Sequence, residues 1–290
     1  MPMIMLLNLK GGVAKTTNTV GIAEYFASQE KKVLVIDADH QSLAGELLLG
    51  EDQLLRVENR RHTLHDLLAF MLSDDFTTDA MGAYVTRDAS NVEELKDKID
   101  CIACSHRIDD FTTNMAKARR GFQSNDEFLR KLARLRTIFA RWCNQNYDYT
   151  IIDCPPSFAL QVLFLLGCAD YFIVPSIPDR LSVRGSIYLM DRIRLRGYSK
   201  IQCLGTLWSM VRVQVRKHVE IMEEVKKGNG EYQTMPGPFE TYIPNSSAIA
   251  DAMDSRVEYG TMKQKYKTEV MGLYRDLCRE IEERTAHLKQ

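Results

Sequence analysis

The sequence has little of what marks a membrane, secreted or fibrous protein. It contains no apolar run of membrane-spanning length, no internal repeat and no low-complexity segment. Its 7 cysteines are scattered and follow no secretory signal, so we expect reduced thiols in a cytoplasmic protein. The formal net charge is −1, so any contact with DNA or an anionic membrane must come from a local patch.

The composition is that of a globular α/β protein. Of the 290 residues, 45% are hydrophobic and 27% are charged. Short apolar runs alternate with segments of helical periodicity, which predicts a twisted, mostly parallel sheet with helices on both faces. We predict a single domain over residues 1–290. Residues 73–98 are polar and irregular, and they indicate either a partner-specific insertion or, as we favour, a solvated surface loop with a helix.

A glycine-rich turn stands between the apolar run of residues 3–7 and the first segment of helical periodicity. Gly11 and Gly12 let the backbone approach a phosphate chain closely, and the amides of the following helix face that anion. Lys15 is placed to pair with the β- and γ-phosphates, and the Thr16 hydroxyl is placed to ligate Mg²⁺. This strand–turn–helix context predicts a nucleotide site.

The turn departs from the ordinary phosphate-loop pattern, which needs glycine where this chain has Leu9 and Ala14. It resembles instead the deviant Walker A motif of the ParA/MinD family of P-loop ATPases, in which a lysine directly precedes the glycine pair. The resemblance implies that Lys10 reaches across a dimer interface to the nucleotide of the other subunit. The expected nucleotide-binding residues of this loop are Lys10, Gly11, Gly12, Val13, Ala14, Lys15, Thr16 and Thr17.

Acidic residues end two further apolar strands. Asp37 and Asp39 follow one strand and Asp153 ends another, on the edge of a parallel sheet where ligands bind. Both stretches resemble motifs of the same family, although His40 replaces a usual proline and suggests a less rigid turn. The resemblance implies that Asp39 activates the attacking water, that Asp37 supports the metal and that Asp153 holds it. Alternatively, one of the paired aspartates only caps the next helix. The expected catalytic residues are Lys10, Lys15 and Asp39, and the expected metal ligands are Thr16, Asp37 and Asp153.

Weaker signals lie elsewhere in the chain. Residues 239–244 are predicted to form the last strand and resemble the family's loop over the base, so by analogy Met210 and Pro244 would lie near adenine. The Cys101–Cys104 spacing suggests a metal or redox site. No second pair follows, however, and a strand would place the two thiols on opposite faces, so we favour buried small residues.

The resemblance implies Mg²⁺-dependent ATP hydrolysis by a homodimer that assembles with ATP. The first candidate function is partition of a plasmid, chromosome or other cargo, in which the dimer binds nonspecific DNA and a ParB-like or other adaptor stimulates hydrolysis. Such a protein would be nucleoid-associated. The second is MinD-like positioning on a membrane surface, and a metabolic relative is a distant third. Because the first strand starts almost at residue 1, we expect no separate N-terminal DNA-reading domain.

Two helical surfaces bear on the choice between DNA and membrane. Arg192 and Arg196 share one helix face, and Arg212 and Arg216 repeat the spacing, so these four are the candidate DNA contacts. For each of these arginines, the alternative to a DNA contact is an ordinary solvated helix surface. A C-terminal apolar stripe would suit a membrane, but core packing is the favoured interpretation because three glutamates beside it would be repelled by anionic lipid. The stripe consists of Val270, Leu273, Tyr274, Leu277 and Ile281.

Overall fold

The computed structural model describes residues 2–198, 200–228 and 230–288. Within them, six parallel strands form one sheet, which confirms the predicted α/β fold class. The strands are β1 (Met3–Leu6), β2 (Val33–Asp37), β3 (Ile99–Ile102), β4 (Tyr149–Asp153), β5 (Tyr171–Ser176) and β6 (Gln202–Trp208). Their order across the sheet is β3-β2-β4-β1-β5-β6, which places β4 and β1 at the centre.

The α-helices of the described residues cover both faces of the sheet. They are α1 (Lys15–Ser28), α2 (Leu43–Leu49), α3 (Glu51–Asn59), α4 (Leu64–Leu72), α5 (Phe111–Arg120), α6 (Asn125–Asn146), α7 (Leu160–Leu166), α8 (Arg180–Leu195), α9 (Arg216–Lys227), α10 (Ser247–Ala252) and α11 (Met262–Leu288). Helices α4 to α8 pack on one face. Helices α1, α2, α3, α10 and α11 pack on the other, and α9 joins a smaller cluster beside β6.

The central strand shows why the sheet is buried on both sides. Met3 and Met5 point into the α4–α8 layer, whereas Ile4 and Leu6 point into the α1–α11 layer. All four side chains are fully buried. Because side chains alternate along a strand, a run of apolar residues without polar alternation is typical of a parallel strand covered by helices on both faces.

The segment of residues 73–98 does contain helix, as predicted, but it is less solvated than the prediction expects, because residues 89–92 are buried. The segment forms short 3-10 helices at Thr78–Tyr84 and Glu93–Lys98. Between them, Thr86 and Cys101 exchange backbone hydrogen bonds of 2.8 and 2.9 Å, so the segment pairs with β3. An open sheet edge leaves backbone N–H and C=O groups unpaired, and this segment covers them. A role for it in binding a partner stays a prediction.

The predicted strand at residues 239–244 is also wrong. This stretch makes only isolated bridges, Thr206 with Pro238 and Val211 with Pro244. Proline has no N–H group to donate to a ladder, so the two prolines limit pairing to single contacts. The guanidinium of Arg284 holds the stretch from α11 instead, because Nη2 donates to the Pro238 carbonyl at 2.6 Å.

The C-terminal helix belongs to the core. Val270, Tyr274, Leu277 and Ile281 are buried in the α1–α11 layer, and the half-buried Leu273 packs against it. This supports the core-packing interpretation of the stripe. The helix is interrupted at Lys267, where the backbone has φ 54° and ψ 170°.

A buried ion pair joins α11 to α1. The side chains of Lys265 and Glu24 are both 0% exposed, and Lys265 Nζ lies 2.6 Å from Glu24 Oε1. The same ammonium donates to Asn91 Oδ1 at 2.7 Å. Charges removed from water need partners, and these contacts supply them. The pair therefore anchors α11 and residue 91 to the helix that carries the phosphate loop.

Candidate active site

The phosphate loop runs from the end of β1 to the start of α1. Gly12 and Ala14 have positive φ angles of 70° and 62°. A Cβ atom built on Gly11 or Gly12 would meet no heavy atom within 4 Å, so open space lies beside this backbone. No side chain caps the first turn of α1, which leaves its amides available to an anion. The buried side chain of Val13 belongs to the core, so this residue can offer a ligand only its backbone.

Lys15 and Thr16 begin α1 and face the loop. Lys15 Nζ donates to the carbonyl of Lys10 at 3.1 Å, which keeps the ammonium inside the loop. Burial lowers the pKa of Lys15, and the nearby Asp153 opposes that shift. Thr16 Oγ1 donates to Asp153 Oδ2 at 2.6 Å. The structure thus brings the predicted phosphate-binding lysine beside two predicted metal ligands.

Two carboxylates converge at the ends of neighbouring strands. Asp37 and Asp153 are paired in register across β2 and β4 and are essentially unexposed. Burial and the nearby Asp153 raise the pKa of Asp37 well above its ordinary value. Burial also raises the pKa of Asp153, against the hydrogen bond from Thr16. A bound cation would offset the cost of ionising both carboxylates.

This donor set fits Mg²⁺. Hydroxyl and carboxylate oxygens are the hard ligands that Mg²⁺ prefers, together with phosphate oxygens and water. Thr16 and Asp153 would hold the ion. Within the described residues no group of three or more histidine, cysteine or acidic side chains forms a metal site, so nucleotide phosphates would complete the coordination. Cys101 and Cys104 lie in different core layers, as the interpretation as buried residues predicts.

The two aspartates after β2 have different surroundings. Asp37 accepts hydrogen bonds from the backbone amides of Asp39 at 3.0 Å and Gly45 at 2.9 Å, so it shapes the turn into α2. Its role near the metal stays a prediction. Asp39 Oδ1 accepts from the amide of Gln41 at 3.1 Å. Its Oδ2 makes no hydrogen bond to any described residue, which suits a group predicted to orient water.

Lys10 is held outside its own phosphate site. Its ammonium lies 3.1 Å from Asp179 Oδ2 and 2.8 Å from Ser182 Oγ, at the start of α8. Asn8 supports this arrangement, because its Oδ1 accepts from the Lys10 amide and its Nδ2 donates to the Pro175 carbonyl. The pKa of Asp179 is lowered, because hydrogen bonds from the Ser182 amide and from Lys10 outweigh the opposing effect of burial.

The sequence prediction missed Asn8, Asp179 and Ser182. Asp179 accepts from the Ser182 amide at 2.8 Å and is the N-cap of α8. An aspartate after a proline and before a periodic apolar segment is a readable cap signal. Nothing in the sequence pattern, however, connects that cap to Lys10.

The two predicted base contacts lie close to each other. Val211, which follows Met210, bridges to Pro244, and both predicted residues are half-buried. Met210 has a φ of 55°. Asn18 on α1 donates to Ser209 Oγ at 2.9 Å, which ties this region to the phosphate-loop helix. Contact of Met210 and Pro244 with adenine stays a prediction.

The four predicted DNA contacts do not form one cluster. Arg192 and Arg196 lie at the end of α8, which leads to the start of β6, whereas Arg212 and Arg216 follow the end of β6. Arg216 Nε donates to Glu220 Oε1 at 2.7 Å. The guanidinium of Arg212 lies 2.7 Å from the carboxamide of Asn245. Their part in DNA binding stays a prediction.

Comparisons with known proteins identify the family of the chain. A family model described as an AAA domain matches residues 1–200. The chain belongs to this family. Its phosphate loop places it in the ParA/MinD group of P-loop ATPases, as the sequence resemblance indicates.

The ParA/MinD assignment is supported along most of the chain. Soj of Bacillus subtilis, a sporulation initiation inhibitor protein, is 24% identical over 252 residues, which cover 86% of each chain. The chromosome partitioning protein ParA of Caulobacter vibrioides is 26% identical over 254 residues, 86% of this chain and 82% of its own. An ATP complex of a McdA variant from Cyanothece has the same fold, with a TM-score of 0.71 at 17% identity, over 97% of this chain and 96% of McdA.

Proposed function

We propose that this ParA/MinD-type protein hydrolyses ATP with Mg²⁺, dimerises with ATP, binds DNA without sequence preference and positions a plasmid, chromosome or other cargo. The observation that carries the proposal is the position of Lys10. Its side chain is one-third exposed, and its ammonium is bound at the start of α8 rather than in its own phosphate loop. A lysine placed at the surface beside the nucleotide site is available to a second subunit.

Each residue of the site has a role in this proposal. The loop amides and Lys15 bind the phosphates, and Asp39 orients the attacking water. Thr16 and Asp153 hold Mg²⁺, which when bound would neutralise charge on the phosphate oxygens. Lys10 of the second subunit would stabilise charge that develops on the transferred phosphoryl group. Because part of the site arrives with the partner, ATP would control dimerisation and hydrolysis would end it.

The cargo function rests on the relatives and on local charge. One relative is named a chromosome partitioning protein, and a ParB-like or other adaptor that stimulates hydrolysis is expected by analogy. The membrane alternative lacks a comparable observation. The apolar stripe of α11 is used in the core.

A mobility-shift assay on unrelated DNA fragments tests this proposal. The wild type should shift DNA with ATP and Mg²⁺ but not with ADP, and the shift should weaken as salt rises. Lys15→Ala is the control, since it removes the counter-charge of the phosphates and should abolish ATP binding. Replacing Arg192, Arg196 and Arg216 with glutamate should weaken the shift without removing ATP binding. No shift with ATP at low salt, together with sedimentation on anionic vesicles, would refute DNA positioning and favour the MinD-like alternative.

A further inference from the structure

One part of the fold carries a marked excess of positive charge. Residues 111–146, which include α5 and α6, contain eight lysine and arginine side chains and two acidic ones, although the whole chain has a net charge of −1. Helix α6 buries its apolar side in the α4–α8 layer. Its basic residues therefore face outward from one face of the sheet.

The arginines on the outer side of α6 are unpaired. Arg130, Arg134 and Arg141 are exposed and form no ion pair or hydrogen bond with any residue that the structure describes. The exposed arginines of α11 differ, because Arg275 and Arg279 both contact Asp276. A solvated helix usually carries mixed charges in such pairs. A face with unpaired charges of one sign points instead to an external anion.

A groove continues this basic face. It has a volume of about 590 Å³ and lies between α6, the turn before β5 and the turn before β6. The structure describes no carboxylate in its lining. The groove is lined chiefly by Arg136, Arg141, Asn144, Gln145, Gly167 and Lys200.

The groove has a fixed floor. Arg136 Nη2 donates to the Leu163 carbonyl at 3.1 Å, and its guanidinium lies 5.7 Å from the ring of Phe164 and 5.9 Å from that of Tyr198. A Cβ atom at Gly167 would come within 2.6 Å of the Arg136 side chain, so a larger residue here would force Arg136 to move. The shape therefore exists before any ligand binds.

The position of this surface separates it from the nucleotide site. Helix α6 leads to the start of β4, Gly167 precedes β5 and Lys200 precedes β6, so the groove lies at the amino ends of parallel strands. The phosphate loop follows the carboxyl end of β1. A dimer that shares nucleotide at the carboxyl edge would leave the groove accessible.

We propose that the α6 surface, defined as Arg130, Arg134, Arg141 and Lys200, binds the phosphate backbone of duplex DNA. This inference rests on the proposed function and names the surface that function would use. From Arg130 to Arg141 the helix rises about 16 Å, and duplex DNA carries one charge per about 1.7 Å of axis, so several phosphates lie within reach.

The test compares two variants that each lose three positive charges. The first carries Arg130→Gln, Arg134→Gln and Arg141→Gln, and glutamine preserves helix propensity. The matched control carries Arg256→Gln, Arg275→Gln and Arg279→Gln, at exposed arginines elsewhere that pair with aspartates. Both variants should bind ATP as the wild type does.

Binding of a labelled 30-base-pair duplex with ATP and Mg²⁺ is measured by fluorescence anisotropy at several salt concentrations. Each lost phosphate contact reduces the steepness of log K against log salt by about 0.9. The slope of the α6 variant should therefore be shallower by about 2.7 per protomer. Its affinity for DNA near 0.1 M salt should fall at least ~10-fold. The control should keep the wild-type slope.

The outcomes separate this inference from the proposed function. Wild-type protein that fails to bind DNA with ATP would refute DNA positioning itself. If the wild type binds DNA and the α6 variant binds it equally well with the same salt slope, only the assignment of DNA binding to the α6 surface would be overturned. Sedimentation of the same variants with anionic vesicles gives a third outcome. If the α6 variant lost binding to vesicles but kept binding to DNA, the α6 surface would bind lipid, and the inference would also be overturned.

Discussion

Replacing Lys265 with methionine should destabilise the protein more than any exposed lysine replacement on the same helix. The substitution keeps the size of the side chain but leaves the carboxylate of Glu24 buried without its counter-charge. One oxygen of that carboxylate, Oε2, already lacks a hydrogen-bond partner among the described residues. Removing one partner of a buried pair costs about 3–5 kcal/mol, a large part of the 5–15 kcal/mol typical of a native domain.

The measurement is urea unfolding without nucleotide, followed by circular dichroism. With an m-value of about 3 kcal/mol/M, the loss would lower the urea midpoint by roughly 1–1.7 M. Lys263→Met is the matched control, since Lys263 is exposed on the same helix and its replacement should stay within about 0.5 kcal/mol of the wild type.

A double variant tests the physical reason. Glu24→Leu with Lys265→Met removes both charges and should recover most of the stability, because an apolar pair of similar volume is often at least as stable as a buried ion pair. A single Lys265→Met variant that unfolds within about 0.5 kcal/mol of the wild type would refute the reasoning, because the pair would then contribute nothing to holding α11 on α1.

Two predictions concern the active site. Lys10→Ala should bind ATP almost normally but turn it over about 10²-fold or more slowly, because a charged transition-state contact is lost; unchanged turnover would contradict a role for Lys10 in trans. Asp153→Asn should raise the urea midpoint of the nucleotide-free protein at pH 8, because the raised pKa of Asp153 means that ionisation opposes folding. That gain should disappear as pH falls below the ordinary value of 3.8, where the carboxyl is protonated in both states, and a lower midpoint than the wild type at pH 8 would contradict it.

Local patterns predicted the fold and the centre of the site. The apolar runs at β1, β2 and β4 are buried on both faces, and the glycine and lysine spacing of residues 10–16 stands between a strand and a helix as expected. These features depend on neighbouring residues only. The polar helix α3 and the basic helix α5 were not predicted, because each has only one buried apolar side chain.

Contacts across the sheet could not be read from the sequence. Lys10 meets Asp179 because β1 pairs with β5, which brings together residues 169 positions apart. The segment of residues 73–98 covers β3 through backbone hydrogen bonds and through the ion pair of Arg87 with Asp100, and neither contact can be read from a local sequence pattern. The α6 surface likewise depends on which charges remain unpaired after folding, and a count of basic residues does not give that.

The central claim is that ATP assembles a dimer through the nucleotide site. The mass of the Asp39→Ala variant in solution tests this claim most directly. The variant loses the group that orients water but keeps the phosphate loop, so it should bind ATP and hold it. Light scattering with ATP and Mg²⁺ should give twice the 33.2 kDa of one chain, and with ADP it should give one chain. A variant that binds ATP but keeps the mass of one chain would contradict the claim.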